Sequence, residues 1–246
     1  MSRYFDLMQQ AGAGEAAIVG AATNLTGSGV RESTVSQSQS GLFNDETLDL
    51  VQRIFLVPAE NPPHVVVFAA VDEQCDASQI CASVAETLAR ISKRPVCLVE
   101  GNFRSPKLPG IFRIPNRQGL AEALAGDEAI SDFCQPLAQE NLWLLSSGAL
   151  DANSPSLLTP ENLKNRFTEL RDAFEFIVVD GPPLGRYAET MILGRLADGI
   201  SLVLQAGSTR REAAAAAAAN LRASNIPIVA AVLNKAASSK STKPFS

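Results

Sequence analysis

Residues 65–71, Val-Val-Val-Phe-Ala-Ala-Val, form a continuous apolar run that breaks into a short polar loop, Asp72 to Asp76. A helical pattern starts at once, with Ile80, Val84, Leu88 and Ile91 recurring every three or four residues. Strand, tight loop and helix is the arrangement in which α/β proteins bind phosphates, because backbone N–H groups and the helix N-terminus face the anion. A phosphate-binding loop also needs glycines, so that the backbone can approach the ligand, and a lysine to meet its charge. This loop has neither, and it carries Asp72, Glu73 and Asp76 where a triphosphate would sit.

The rest of the chain repeats the alternation. Apolar, β-rich runs recur at 64–70, 96–99, 142–145, 176–180, 200–205 and 228–233, separated by helical patterns at about 77–92, 159–174, 187–196 and 209–221. A further helix opens at Asn44-Asp45-Glu46, with acids in its first turn and an apolar face of Leu48, Val51, Ile54 and Phe55. Thr159-Pro160-Glu161 is a helix start with a capping residue, a proline and an acid in order. Thr209 is expected to cap the helix that carries Ala213 to Ala219, and 119–125 and 129–137 read as short helices. Strands that are apolar throughout and alternate with helices describe an α/β fold, a doubly wound, mostly parallel sheet with helices on both faces.

Residues 11–42 are rich in Gly, Ala, Ser and Thr and read as a loose linker. The linker follows residues 2–10, which read as a short amphipathic helix with Tyr4, Phe5, Leu7 and Met8 on its apolar side, either a segment that docks to a partner or a frayed terminus. The expected organisation is a flexible segment at 1–43, an α/β domain at 44–236 and a disordered tail at 237–246. A net charge of −5 with no long basic run argues against a nucleic-acid surface. No apolar stretch approaches the roughly 20 residues of a membrane span, and the N-terminus lacks signal-peptide character. Cys75, Cys81, Cys97 and Cys134 have no Cys-x-x-Cys spacing. The chain therefore reads as reduced and cytoplasmic. With His64 as the one histidine, the sequence argues against a His-based metal site.

Ligands of such sheets bind beyond the carboxyl ends of the strands. Those ends supply 72–78, 100–104, 146–148, 180–183, 205–209 and Asn234, which should converge on one site.

In order and spacing these segments resemble the bacterial tyrosine kinases of capsule and exopolysaccharide synthesis, which share the P-loop NTPase-like fold of the division-site and partition ATPases. The resemblance covers about residues 44–235. Residues 176–184, Phe-Ile-Val-Val-Asp-Gly-Pro-Pro-Leu, look like the family's Walker B strand followed by Asp-x-Pro-Pro. Residues 96–106 look like its second acidic motif, with Glu100 and Asn102 at the two aspartate positions and Arg104 and Pro106 matching. Ala197-Asp198-Gly199, then Thr209-Arg210, resembles the next strand and its Thr-Arg sequel, and Asn234 stands where the family contacts adenine. Aligning the helix after the loop sets Gln74 and Asp76 at the loop glycines, Ala77 at the lysine and Ser78 at the magnesium-binding hydroxyl. Leu48 and Val51 replace arginines that the family uses for ring assembly, and the tail has no tyrosine. Tyr187 is a poor phosphorylation candidate by context.

By that resemblance, Asp180 and Glu100 are the catalytic carboxylates if the chain is active. Ser78, Arg104 and Asn234 are remnants of a nucleotide site, and Ser78 and Asp180 are the metal ligands. Arg104 or a divalent cation is expected to fill the place of the lost lysine and magnesium. The degenerate loop implies a pseudokinase-like role with no cofactor. The alternatives are an active kinase using ATP and Mg, with a lysine such as Lys107 or Lys235 supplied from elsewhere, or an ATPase-like positioning or binding module. Implied partners are a membrane-anchored polysaccharide chain-length or export protein, a related kinase, or further copies of the chain. Such a partner would recruit the chain to the inner face of the membrane.

Overall fold

The structure, a computed structural model, describes residues 17–23, 45–57, 62–73, 75–151 and 154–236. Among the described residues, eight strands form one sheet: β1 (Ala17–Thr23), β2 (Val65–Ala70), β3 (Val96–Glu100), β4 (Cys134–Pro136), β5 (Leu142–Leu145), β6 (Phe176–Gly181), β7 (Gly199–Gln205) and β8 (Ile228–Ala236). Their spatial order is β1-β8-β7-β2-β6-β3-β5-β4, and every neighbouring pair is parallel except β4 with β5. The helices are α1 (Asp45–Val51, continued by a π-helical turn to Leu56), α2 (Ala77–Ser92), α3 (Leu108–Phe112), α4 (Leu120–Ala125), α5 (Pro160–Ala173), α6 (Glu189–Leu196) and α7 (Arg211–Ala223).

The two sheet faces are covered by different helices. Val66, Phe68 and Ala70 of β2 pack with Leu98, Val178 and the apolar faces of α1 and α2, including Phe55, Val84 and Leu88. Val65, Val67 and Ala69 point the other way, into a layer built from α4 to α7 with Phe167, Leu170, Leu193 and Leu221. The alternation follows from the two-residue period of a strand, and both halves of that period are apolar because both faces are covered. Thr159 caps α5 by accepting from the Asn162 amide at 3.2 Å.

Several elements depart from expectation. Residues 17–23, within the stretch expected as linker, form β1, paired along seven residues with β8. Small residues with a central Ile18-Val19 pair suffice for an edge strand when a long neighbour offers its free edge. Residues 129–137 form a 3-10 turn at Ile130–Phe133 and then β4, because this segment closes the edge of β5 antiparallel. Proline at position 136 fits such an edge position. Thr209 does not cap α7: its hydroxyl accepts from the Gln205 amide at 2.9 Å, and Arg210 precedes the helix without a side-chain cap. The expected helix at 2–10 and the tail at 237–246 lie outside the described residues. Among the described residues, no helix is long and apolar enough to cross a membrane.

Candidate functional site

A cleft of about 200 Å³ opens at the carboxyl ends of β2, β3 and β6. Its walls include Glu73, Cys75 and Ser78 from the loop and first turn after β2, Asn102, Arg104 and Lys107 from the segment after β3, and Asp180, Pro183 and Tyr187 from the segment after β6. Three of the six strand ends expected to converge therefore do so. Ser146 and Ser147 instead bind the start of α4, accepting the Leu120 and Ala121 amides on their carbonyls at 2.7 and 3.0 Å. Asn234 donates to Gln205 at 3.2 Å, beside Cys75.

Glu100 and Asp180 are direct register partners on β3 and β6, and both are buried. Glu100 spends its oxygens on the backbone: Oε1 accepts from Asn102 at 3.3 Å, and Oε2 accepts from Lys107 and Leu108 at 2.8 and 2.9 Å. Desolvation nevertheless pushes its pKa up to about 7, against the pull of those N–H groups and of the Lys107 charge. Asp180 is 1% exposed, and neither of its carboxylate oxygens has a hydrogen-bond partner. Burial, then the neighbouring Glu100, hold its pKa well above the carboxylate range, although the nearby Ser78 hydroxyl and Lys107 oppose them.

The basic groups are distributed differently from the sequence expectation. Arg104 does not take the place of the lost lysine. Its Nη2 lies 2.6 Å from Glu189 Oε1, and its guanidinium rests 4.8 Å from the Tyr187 ring centroid. Lys107 does turn into the cleft, with Nζ 3.3 Å from Asp76 Oδ1. The cause is local: the Lys107 and Leu108 amides close onto Glu100, folding the chain back over the strand end. Arg186 pairs with Glu73, whose carboxylate also accepts from the Tyr187 hydroxyl at 3.5 Å. The sequence reading sets Tyr187 near the site, where the structure has it, but does not find Glu189 or Arg186 as parts of this rim. Their one signal was proximity to the Asp-x-Pro-Pro segment.

The fold and the resemblance imply Mg·ATP here, and the donors split on that ligand. Ser78 and Asp180 are of the type that hold Mg²⁺ together with phosphate oxygens. The loop is not of the type that holds the phosphates. A nest of converging N–H groups needs residues that alternate between right- and left-handed backbone. Among the described residues, none in the loop after β2 has positive φ, and none is glycine. Glu73 and Asp76 stand in the loop paired to Arg186 and Lys107. The phosphate half of the ligand does not fit. Nor, among the described residues, does any group of three or more His, Cys, Asp or Glu side chains form a metal-binding cluster.

Comparison with known proteins locates this geometry. No family model matches the chain. It is 25% identical over 204 residues to the putative tyrosine-protein kinase CapB of Staphylococcus aureus, covering 83% of this chain and 86% of that one. It is 28% identical over 181 residues to the tyrosine-protein kinase YwqD of Bacillus subtilis, covering 69% and 76%. The crystal structure of the chimerical protein CapA2B2 superposes with a TM-score of 0.76 over 94% of this chain and 97% of that one, at 18% identity. The septum site-determining protein MinD of Pyrococcus horikoshii, complexed with Mg-ADP, gives 0.52 over 69% and 81%, also at 18% identity. The chain's homologues are thus bacterial tyrosine-protein kinases, as the resemblance implies, and its fold is the P-loop NTPase-like α/β sandwich.

Proposed function

We propose that this chain is a non-catalytic, pseudokinase-like member of the capsule and exopolysaccharide kinase group, and that it serves polysaccharide assembly by binding. The observation that carries this reading is the chemistry of the loop after β2. Ala77 stands at the lysine position, glycine is absent, and the loop acids Glu73 and Asp76 use Arg186 and Lys107 as internal counter-ions. A polyphosphate would have to break those pairs and then face the acids. At an effective dielectric near 20, one like-charge pair at 4 Å costs about 4 kcal/mol. A single hydroxyl at Ser78 does not offset that.

The partners that suit this role are a membrane-anchored chain-length or export protein, or a related active kinase, which would hold the chain at the inner face of the membrane. Calorimetric titration with Mg·ATP and Mg·ADP tests the reading. A dissociation constant weaker than about 1 mM supports it; micromolar binding, or turnover lost in Asp180→Asn, overturns it.

One observation favours a second reading, an active ATP-dependent tyrosine kinase with an unconventional loop. Lys107 enters the cleft from the far side, within 3.3 Å of Asp76, and its charge bears on Asp180 and Glu100. In that case Lys107→Met abolishes turnover. An ATPase-like positioning module, the third alternative, rests on likeness of fold alone.

A further inference from the structure

A buried carboxylate with two orphan oxygens needs a reason, since buried polar groups are almost always satisfied. Asp180 forms part of the cleft wall, is 1% exposed and has no hydrogen-bond partner on either oxygen. Its neighbour Glu100 has already used its oxygens on three backbone amides. Lys107, the cation nearest the floor of the cleft, forms its ion pair with Asp76. Arg104 and Arg186 are engaged at the rim with Glu189 and Glu73. The floor therefore offers Asp180 the Ser78 hydroxyl close by and the Lys107 charge at a distance but, among the described residues, no cation paired with it.

We infer that this cleft binds an arginine side chain presented by a partner polypeptide, its guanidinium directed at the Asp180 carboxyl. This rests on the binding role proposed above and names the chemistry of the partner. A bare divalent cation suits the cleft less well. Ser78 and Asp180 offer two ligands, and Mg²⁺ held by one or two carboxylates takes phosphate oxygens for much of the rest. A guanidinium brings five N–H donors in a planar fork and meets a carboxylate bidentately. Its aliphatic stem has apolar wall to lie along, at Ala70, Cys75, Ala77 and Pro183. The Tyr187 ring at the rim already carries two guanidinium groups, Arg104 at 4.8 Å and Arg186 at 5.6 Å from its centroid, so the cleft mouth is compatible with that group.

The test is amide chemical-shift titration of the full chain with the blocked peptide acetyl-Gly-Arg-Gly-amide. The control is the same peptide with citrulline, a neutral near-isostere, in place of arginine. Saturable shifts at the Ser78, Gly101 and Gly181 amides are expected from the arginine peptide, with a dissociation constant on the order of 1 mM. Citrulline should weaken binding at least about tenfold, and Asp180→Asn should weaken the arginine peptide by a similar factor. Lys107→Met, which removes the competing cation, should tighten it. Equal binding of the two peptides, no saturable shift, or Mg²⁺ alone titrating the same amides at micromolar concentration overturns the inference. If Asp180→Asn does not fold, the citrulline comparison decides. A parallel titration with Mg·ADP keeps the two readings apart: nucleotide binding sinks the non-catalytic role, whereas equal peptide binding sinks only the arginine site.

Discussion

Glu100 and Asp180 face each other across β3 and β6 as register partners, yet only the Glu100 carboxyl is held by backbone amides. The Gly101 amide, next along the chain, donates to the Asp180 carbonyl at 2.9 Å and locks the two strand ends together. Two carboxyls fixed this way in a desolvated place cannot both ionise cheaply.

That arrangement predicts an unusual pH profile. A carboxyl whose pKa is higher in the folded chain holds its proton more tightly there. Its contribution to stability is therefore full below the ordinary glutamate pKa and is lost as pH rises through about 7, the value to which Glu100 is pushed. The loss amounts to on the order of 3 kcal/mol between about pH 4.5 and pH 7.5. Asp180 adds to it in the same direction. Asp180→Asn removes a buried group that resists ionisation in the folded chain, and should raise the melting temperature at pH 8 while flattening the profile. Thermal melts across this pH range check it; a wild type that gains stability steadily from pH 5 to pH 8 contradicts it.

Asp198 predicts the opposite dependence at the other end of the sheet. Its carboxylate accepts from the His64 and Val65 amides at 2.7 and 2.8 Å and pairs with Arg171 at 2.8 Å. Burial alone would raise its pKa, but the Arg171 hydrogen bond and the two amides outweigh it and hold the pKa below the usual range. Its contribution is present above the ordinary aspartate pKa and lost as pH falls through the lowered one. Asp198→Ala should cost about 1–2 kcal/mol at pH 7, much of it from the two amides left without an acceptor. Urea denaturation at pH 7 measures it, and a change below about 0.3 kcal/mol would show that water replaces the acceptor freely.

The contrast between these two aspartates shows what was legible in the sequence. The helix at 77–92 and the strand preceding it were readable because their apolar periods are long and unambiguous. Asp180 was readable as a strand-end acid in an Asp-x-Pro-Pro context. Which cation would face it was not. Arg104 is closer in sequence to Asn102, but the chain closes back on Glu100 through the Lys107 and Leu108 amides, so position 107 reaches the cleft. Arg104 is drawn outward to Glu189, a residue 85 positions away. A pairing at that separation depends on where α6 packs, which local pattern does not encode. Residues 129–137 were misread for a related reason: β4 exists because β5 offers it an edge, and a short edge strand has little periodicity of its own.

Removing residues 1–43 should destabilise the fold, contrary to what a loose-linker reading implies. The pairing of Ala17–Thr23 with Ala230–Ala236 would be lost, exposing the N–H and C=O groups along one edge of β8. A chain starting at Asn44 should melt several degrees lower than the full chain, since roughly 1 kcal/mol moves a domain of this size by about 2–4 °C. It should also associate more readily through the bared edge. Differential scanning calorimetry and sedimentation velocity report the two effects. Equal melting temperatures would mean that β1 contributes nothing to the sheet.

The last prediction concerns the loop after β2. If phosphate is excluded by the loop alone, then Gln74→Gly, Asp76→Gly and Ala77→Lys together should restore nucleotide affinity while Glu100 and Asp180 stay as they are. The glycines give the backbone access to left-handed conformations, and the new lysine supplies the missing charge. The triple change also frees Lys107, whose partner Asp76 is gone. Lys107 can then turn to Asp180 or to the phosphate, and either removes an unpaired charge. Glu73 and Arg186 remain paired at the rim and do not obstruct. A gain of at least about tenfold in Mg·ADP affinity, some 1.4 kcal/mol, is the expected outcome of the calorimetric titration. A folded triple variant that binds no better than the parent would place the lesion elsewhere. The candidates would then be Glu100 and Asn102, which stand at the two aspartate positions of the motif that this segment resembles, and changing both to aspartate in the same background is the experiment that follows.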